Sequence, residues 1–292
     1  MTGTADRIAR FALVIFIAGL CAPARRTKGE GLEPKTLAAF DQYVRRAEAQ
    51  TAAWPARDKE FLWVERLSGE RRATAERQLW AGQVVIERVA AQSDDAQGGR
   101  DKPVIIPGGM IHHWIGTVFI SGASLAQTLA LEQDYNHHQE YFHPEVMRSK
   151  ILGHEGNDFR IEMRLYKKKL IATVLDTEHQ VHYEIVDSTH AWSRSRTIRI
   201  QEVDKAGEPN ERLEPVGHDR GFLWRMNNYW RFEEKNGGTY VECQSISLTR
   251  DVPGGLGWLM GPYLTGVPRE SLTFMLATTR SRLLEGIARG ER

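Results

Sequence analysis

Between residues 149 and 250 six strand-like segments follow one another, and one long helical pattern closes the chain. The segments span 149–152, 159–166, 171–183, 191–203, 222–233 and 239–250. Turn formers such as Glu155-Gly156-Asn157-Asp158 and Asn236-Gly237-Gly238 separate them. An earlier strand is expected at 110–120, and a helix at 124–135 with Ser121 or Ser124 as its cap. The closing helix is expected from Pro268 to about Ala288, with Leu272, Leu276, Leu283 and Ile287 on one side. A run of antiparallel strands must bury one face against something, and that helix is the largest apolar partner present. The order predicts an α+β chain: a curved antiparallel sheet wrapped around a long C-terminal helix, with space between them.

Alternation along the strands predicts what faces that space. In 222–233 the even residues are Phe222, Trp224, Met226, Asn228, Trp230 and Phe232, and the odd ones include Arg225, Asn227, Arg231 and Glu233. A two-residue turn at Asn236-Gly237 would pair 232 with 241 and 230 with 243. Val241, Cys243, Ser245, Ser247 and Thr249 then share the inner face, and Arg231 meets Glu242 on the outside. Ile161, Met163, Leu165, Thr173, Leu175, Val181 and Tyr183 join them from the preceding strands. In 191–201 the apolar Trp192, Ile198 and Ile200 are even, so Arg194 and Arg196 are expected on their face. Two readings of these arginines stay open: ion-paired at the rim, or holding an anionic head by forked hydrogen bonds.

Ahead of the sheet, 34–91 reads as helical, with a break at Trp54-Pro55, and 93–102 (SDDAQGGRDK) as a linker. Residues 1–24 have the anatomy of a secretory signal: Arg7 and Arg10, the apolar run 11–20, then Ala22-Pro23-Ala24. The expected organisation is a signal peptide at 1–24, a helical extension with linker at 25–107, and the sheet-and-helix domain at 108–290. The protein is then exported, periplasmic or secreted. Loss of Cys21 with the signal leaves Cys243 as the one thiol, so no internal disulfide holds the fold. With 39 basic and 38 acidic residues, the formal charge of +1 gives no general attraction for nucleic acid.

Several segments carry a resemblance to a known family. They are 124–135 with Asp134-Tyr135, then Tyr141-Phe142-His143-Pro144-Glu145-Val146 leading into Ser149-Lys150-Ile151-Leu152. The tail Leu248-Thr249-Arg250-Asp251-Val252-Pro253 and Pro268-Arg269-Glu270-Ser271-Leu272 completes the set. With this order of elements, the chain resembles the START-like (SRPBCC) superfamily, specifically its uncharacterised exported members. These share the helix-grip fold with START lipid carriers, the birch-pollen allergen and polyketide cyclases. The resemblance covers roughly 110–287. It implies a hydrophobic ligand cavity and names no reaction.

The expected function is binding, with transport as its extension, of a hydrophobic small molecule or lipid, with an anionic head group as one form. The candidate ligand-binding residues are Met163, Tyr183, Trp192, Arg194, Arg196, Trp224, Asn228, Trp230, Ser245, Thr249 and Trp258. Trp258 belongs to a glycine-rich loop, 253–263, read either as a gating flap with transient membrane contact or as a packed connection. Lys167-Lys168-Lys169 reads as a basic hairpin tip. No catalytic residue, cofactor or metal site is assigned. His112 and His113 are strand neighbours facing opposite ways, no HExxH run is present, and Cys243 is mid-strand. Two alternatives remain: a cyclase- or hydratase-like enzyme using Asp251, Arg194 or Tyr183, and an envelope interaction module with a filled cavity.

Overall fold

A computed structural model describes residues 31–52, 60–89, 103–168, 172–251 and 257–290, without side chains for 51–52 and 257–265. The expected signal peptide at 1–24, the break at Trp54-Pro55 and the linker at 93–102 lie outside the described residues.

The described elements are α1 (Pro34–Ala52), a 3-10 turn (Trp63–Arg66), α2 (Gly69–Trp80), β1 (Val85–Arg88), β2 (Val104–Ile106) and β3 (Gly109–Ser121). They continue with α3 (Leu125–Gln133), α4 (His138–Tyr141), β4 (Val146–Glu155), β5 (Asp158–Lys168), β6 (Ala172–Ile185) and β7 (His190–Asp204). The last are β8 (Arg212–Leu213), β9 (Arg225–Lys235), β10 (Gly238–Arg250) and α5 (Gly257–Ala288). Antiparallel pairing gives the order β1-β3-β10-β9-β7-β6-β5-β4, with β2 also on β3 and β8 on β7. The long α5 lies on one face of this curved sheet, where Leu272, Leu276 and Leu283 join Val118, Ile120, Trp230, Phe232 and Val241 in a buried cluster. Gly116 permits the approach: a Cβ there would stand 2.9 Å from Leu276 Cδ1.

The β9–β10 hairpin has the register that alternation predicts, with Phe232 opposite Val241 and Trp230 opposite Cys243. Its turn residues Asn236 and Gly237 take positive φ of 56° and 74°, as a two-residue hairpin with native twist requires. The next residue is closely packed: a Cβ on Gly238 would lie 2.3 Å from the Ile120 carbonyl oxygen and 2.8 Å from Phe119 Cζ. Gly238→Ala is therefore expected to lose about 1–3 kcal/mol in urea titration. Unchanged stability would show that β3 and β10 tolerate separation here.

Residues 34–91 are not helical throughout. Helix α2 stops at Trp80 in a Schellman motif: Gln83 N–H donates to the Gln78 carbonyl at 2.9 Å and Gly82 N–H to Leu79 at 2.8 Å. Gly82 sits at φ +73°, a conformation open to glycine without steric cost. Beyond it the β-branched Val85 and Ile86 pair with Thr117 and Gly116 as an edge strand. The extension thus contributes β1 and β2 to the sheet.

Described residues of α1, the 3-10 turn region and α2 cover the outer face. Phe40, Val44 and Ala47 of α1 are buried against Ile111, Trp224, Tyr229, Ile246 and Leu248. Burial of large apolar side chains such as Phe40 and Val44 contributes about 1.5–3 kcal/mol each. Phe61, Leu62 and Val64, with Leu79 of α2, cover Phe119 and Tyr240. Arg231 and Glu242 pair at 3.1 Å as expected, but under this cover they are 9% and 0% exposed rather than solvated. Trp63 N–H donates to the second Glu242 carboxyl oxygen at 2.7 Å, which ties the 3-10 turn to the sheet.

Strand β7 departs from simple alternation. Glu178 pairs with Arg199 but His179 with Thr197, so Ile198 is an extra residue. A bulge of this kind exchanges the faces of everything beyond it. Ile200 is buried on the inner side, whereas Trp192, Arg194 and Arg196 face outward with Arg231, Tyr229 and Asn227. The inference from the even apolar residues fails at that bulge. The closing helix also begins at Gly257, so the backbone from there to Tyr263 is helical rather than a loop, and Pro268 is internal rather than first-turn.

Candidate functional site

Between the inner face and α5 lies a cavity of about 280 Å³. Its wall is mostly apolar: Val146, Ile161, Met163, Leu165, Leu175, Val181, Met226, Trp230, Leu272 and Met275. Phe222, Leu223, Val267 and Pro268 also line it. A sheet that closes on a long helix and leaves a lined cavity between them is a defined architecture. The chain has the helix-grip fold.

Comparison with protein-family profiles finds no match, and comparison with curated proteins finds none either. Solved structures similar to this chain include a STAR-related lipid transfer protein from Xanthomonas axonopodis, at 16% identity and TM-score 0.42, covering 67% of this chain and 98% of that one. Another is an aromatase/cyclase from Streptomyces sp. R1128, at 12% identity and TM-score 0.41, covering 61% and 96%. A third, from Thermus thermophilus, has 15% identity and TM-score 0.41, covering 59% and 97%.

Of the sequence-predicted residues, Met163, Tyr183, Asn228, Trp230 and Thr249 lie in the cavity wall. Ser245 shares their face, in register with Asn228, but is outside that wall. Trp192, Arg194, Arg196 and Trp224 are on the opposite side of the sheet. Arg196 ion-pairs with Glu48 of α1, and Arg194 is exposed there. Trp224 donates its indole N–H to Asp219 at 3.0 Å; β9 begins only at Arg225, so its alternation does not reach back to Trp224. The side chain of Trp258 lies outside the described residues. Arg250 donates to the Asp219 carbonyl at 3.0 Å, a turn-fixing contact, and Asp251 is exposed.

His179, Ser193, Ser195, Asn228, Ser247 and Thr249 are polar residues of the wall, and its carboxyl and ammonium groups stand at two ends. At one, Lys167 at the tip of β5 ion-pairs with Glu145, beside Thr173 and Ser271. Burial pushes its ammonium down to about 7, with Glu270 opposing. Lys169 is outside the described residues. At the other end are Glu132, Tyr135, Tyr183 and His138. The Tyr135 and Tyr183 hydroxyls are 2.7 Å apart, and Tyr183 also donates to the Glu132 carbonyl at 3.4 Å. Thr279 of α5 donates to Glu132 Oε1 at 3.0 Å. Burial raises the Glu132 carboxyl to about 7 and holds His138 down at about 4.

Sequence reasoning misses Glu132, although a signal for it exists. Ser124 caps α3 with a capping box to Gln127, and Leu125, Thr128 and Glu132 then fall on its buried stripe. The histidine neighbours do face opposite ways. His112 meets Thr249 at 3.0 Å on the inner side, and His113 meets Tyr43 at 2.8 Å under α1. Cys243 is buried in the cavity wall, and its thiol is pushed up by burial first and by Glu132 and Glu242 after it. That disfavours the thiolate a nucleophile requires. Among the described residues no three His, Cys, Asp or Glu side chains converge as metal ligands.

Proposed function

We propose that the protein is an exported carrier that binds a hydrophobic small molecule or lipid in the cavity between sheet and α5. The observation that carries this reading is the wall itself: apolar over most of its extent, with a minority of polar side chains among them. Affinity then comes from burial of apolar ligand surface, and orientation from the few polar groups. A carrier needs no nucleophile, which agrees with the buried, proton-retaining Cys243. The signal-like 1–24 segment supports export, and the resemblance to START-like proteins supports carriage. Transient membrane contact near Trp258 belongs to the same proposal, as the step at which a lipid would enter.

The arginines give no support for an anionic head group, since Arg194 and Arg196 face away from the cavity. Substitution distinguishes the faces. Ser247 lies in the wall beside Met226, so Ser247→Trp should fill the cavity and weaken uptake of the neutral dye Nile red at least about tenfold. Arg194→Ala should leave it unchanged. Equal Nile red binding by the wild type and Ser247→Trp would place the dye elsewhere and refute the proposal.

A further inference from the structure

The proposed function leaves open what the two polar ends of the cavity recognise. The inner end is built from five elements. Glu132 comes from α3, His138 from α4, Tyr183 from β6, Thr279 from α5 and Cys243 from β10, with Tyr135 in the turn between α3 and α4. Two of its hydrogen bonds end on Glu132: Thr279 donates to the carboxyl and Tyr183 to the backbone carbonyl. Thr279 engages Oε1 and leaves Oε2 of a wall residue for whatever fills the cavity.

Among the described wall residues Lys167 is the one Lys or Arg, and it stands at the far end. Lys167 pairs with Thr173 on β6, ten residues from Tyr183, which is roughly 33 Å along an extended strand. There it already meets Glu145, with Glu270 nearby. Among the described residues neither end offers an anion an uncommitted cation. A carboxylate placed at the inner end would face the Glu132 carboxyl in a water-poor site, where like charges repel strongly. A hydroxyl suits both protonation states of that carboxyl: it donates to the carboxylate and accepts from the acid.

We infer that the inner end selects an apolar molecule ending in a neutral hydroxyl and rejects the carboxylate of equal chain length, through Glu132, Tyr135 and Tyr183. This rests on the cavity being a binding site. Burial holds the Glu132 proton to about pH 7, so rejection of the anion should be strongest above that.

The test is calorimetric titration of the full chain with 1-decanol and with decanoate at pH 8.0 and 5.5. At pH 8.0 decanol should bind at least about tenfold more tightly, and at pH 5.5 the ratio should narrow. Glu132→Gln should bring the pH 8.0 ratio below about threefold. Tyr183→Phe should weaken decanol about two- to tenfold while sparing the discrimination. Equal or tighter binding of decanoate by the wild type at pH 8.0 would overturn the inference and leave the cavity reading standing. Binding of neither compound would overturn both. The wild-type comparison decides the matter even if a variant fails to fold.

Discussion

Lowering the pH from 7.5 to 5 is expected to remove several kcal/mol of folding stability. Four histidines are buried in the fold, and burial lowers His112, His138 and His179 to about 4 and His113 to about 3. Their unfolded counterparts titrate near 6.5. Below that value the unfolded chain takes up protons that the folded chain refuses, so stability is lost as pH falls through 6.5. For a histidine displaced from 6.5 to 4 the loss at pH 5 is about 2 kcal/mol. Glu132 acts in the opposite sense. Its folded value of about 7 lies above the unfolded one, so the folded chain retains a proton and gains stability as pH falls from 7 toward 4.5. That gain is worth about 3 kcal/mol, and four histidines outweigh one carboxyl. Against a total stability of about 5–15 kcal/mol, the net loss should be plain in urea titrations at the two pH values. An unchanged midpoint would show that these histidines are hydrated in solution.

The second large effect concerns the outer face. Glu242 accepts from Arg231 at 3.1 Å, Trp63 N–H at 2.7 Å and Thr117 at 3.1 Å, and is fully buried. Glu242→Ala removes the carboxylate from a guanidinium that is itself 9% exposed, and deprives a backbone N–H of its acceptor. Breaking such a pair costs about 3–5 kcal/mol. Because the same carboxylate holds the 3-10 turn, amide exchange at 61–66 should accelerate more than exchange in α5. Replacing both partners by apolar residues, Arg231→Met with Glu242→Leu, should recover part of the loss, since no buried charge then remains. A single Glu242→Ala costing under about 1 kcal/mol would mean the extension leaves the pair wet.

The β9–β10 register could be read because local signals agree: the Asn236-Gly237 turn, the large-against-small alternation and the Arg231–Glu242 pair all specify one pairing. Strand β7 could not be read so, because the bulge at Ile198 is a property of its pairing with β6 and leaves no mark on its own alternation. The candidate arginines fell on the wrong face for that reason alone. The hidden β1 is similar: Val85–Arg88 continues a charged, helix-like stretch, and only Gly82 and the β-branched pair mark the change. Glu132 was obscured because a charged residue on a short helix is ordinarily solvated, and its burial depends on α5, far along the chain.

The central claim, that the space under α5 is a binding site, is tested most directly by the methionine methyl resonances. Met163, Met226 and Met275 line the cavity, whereas Met110 and Met147 do not. With 13C-methyl methionine, titration of 1-decanol should produce saturable shifts at the first three and leave Met110 and Met147 in place. Shifts confined to the exposed Met147, or none at all, would contradict the account.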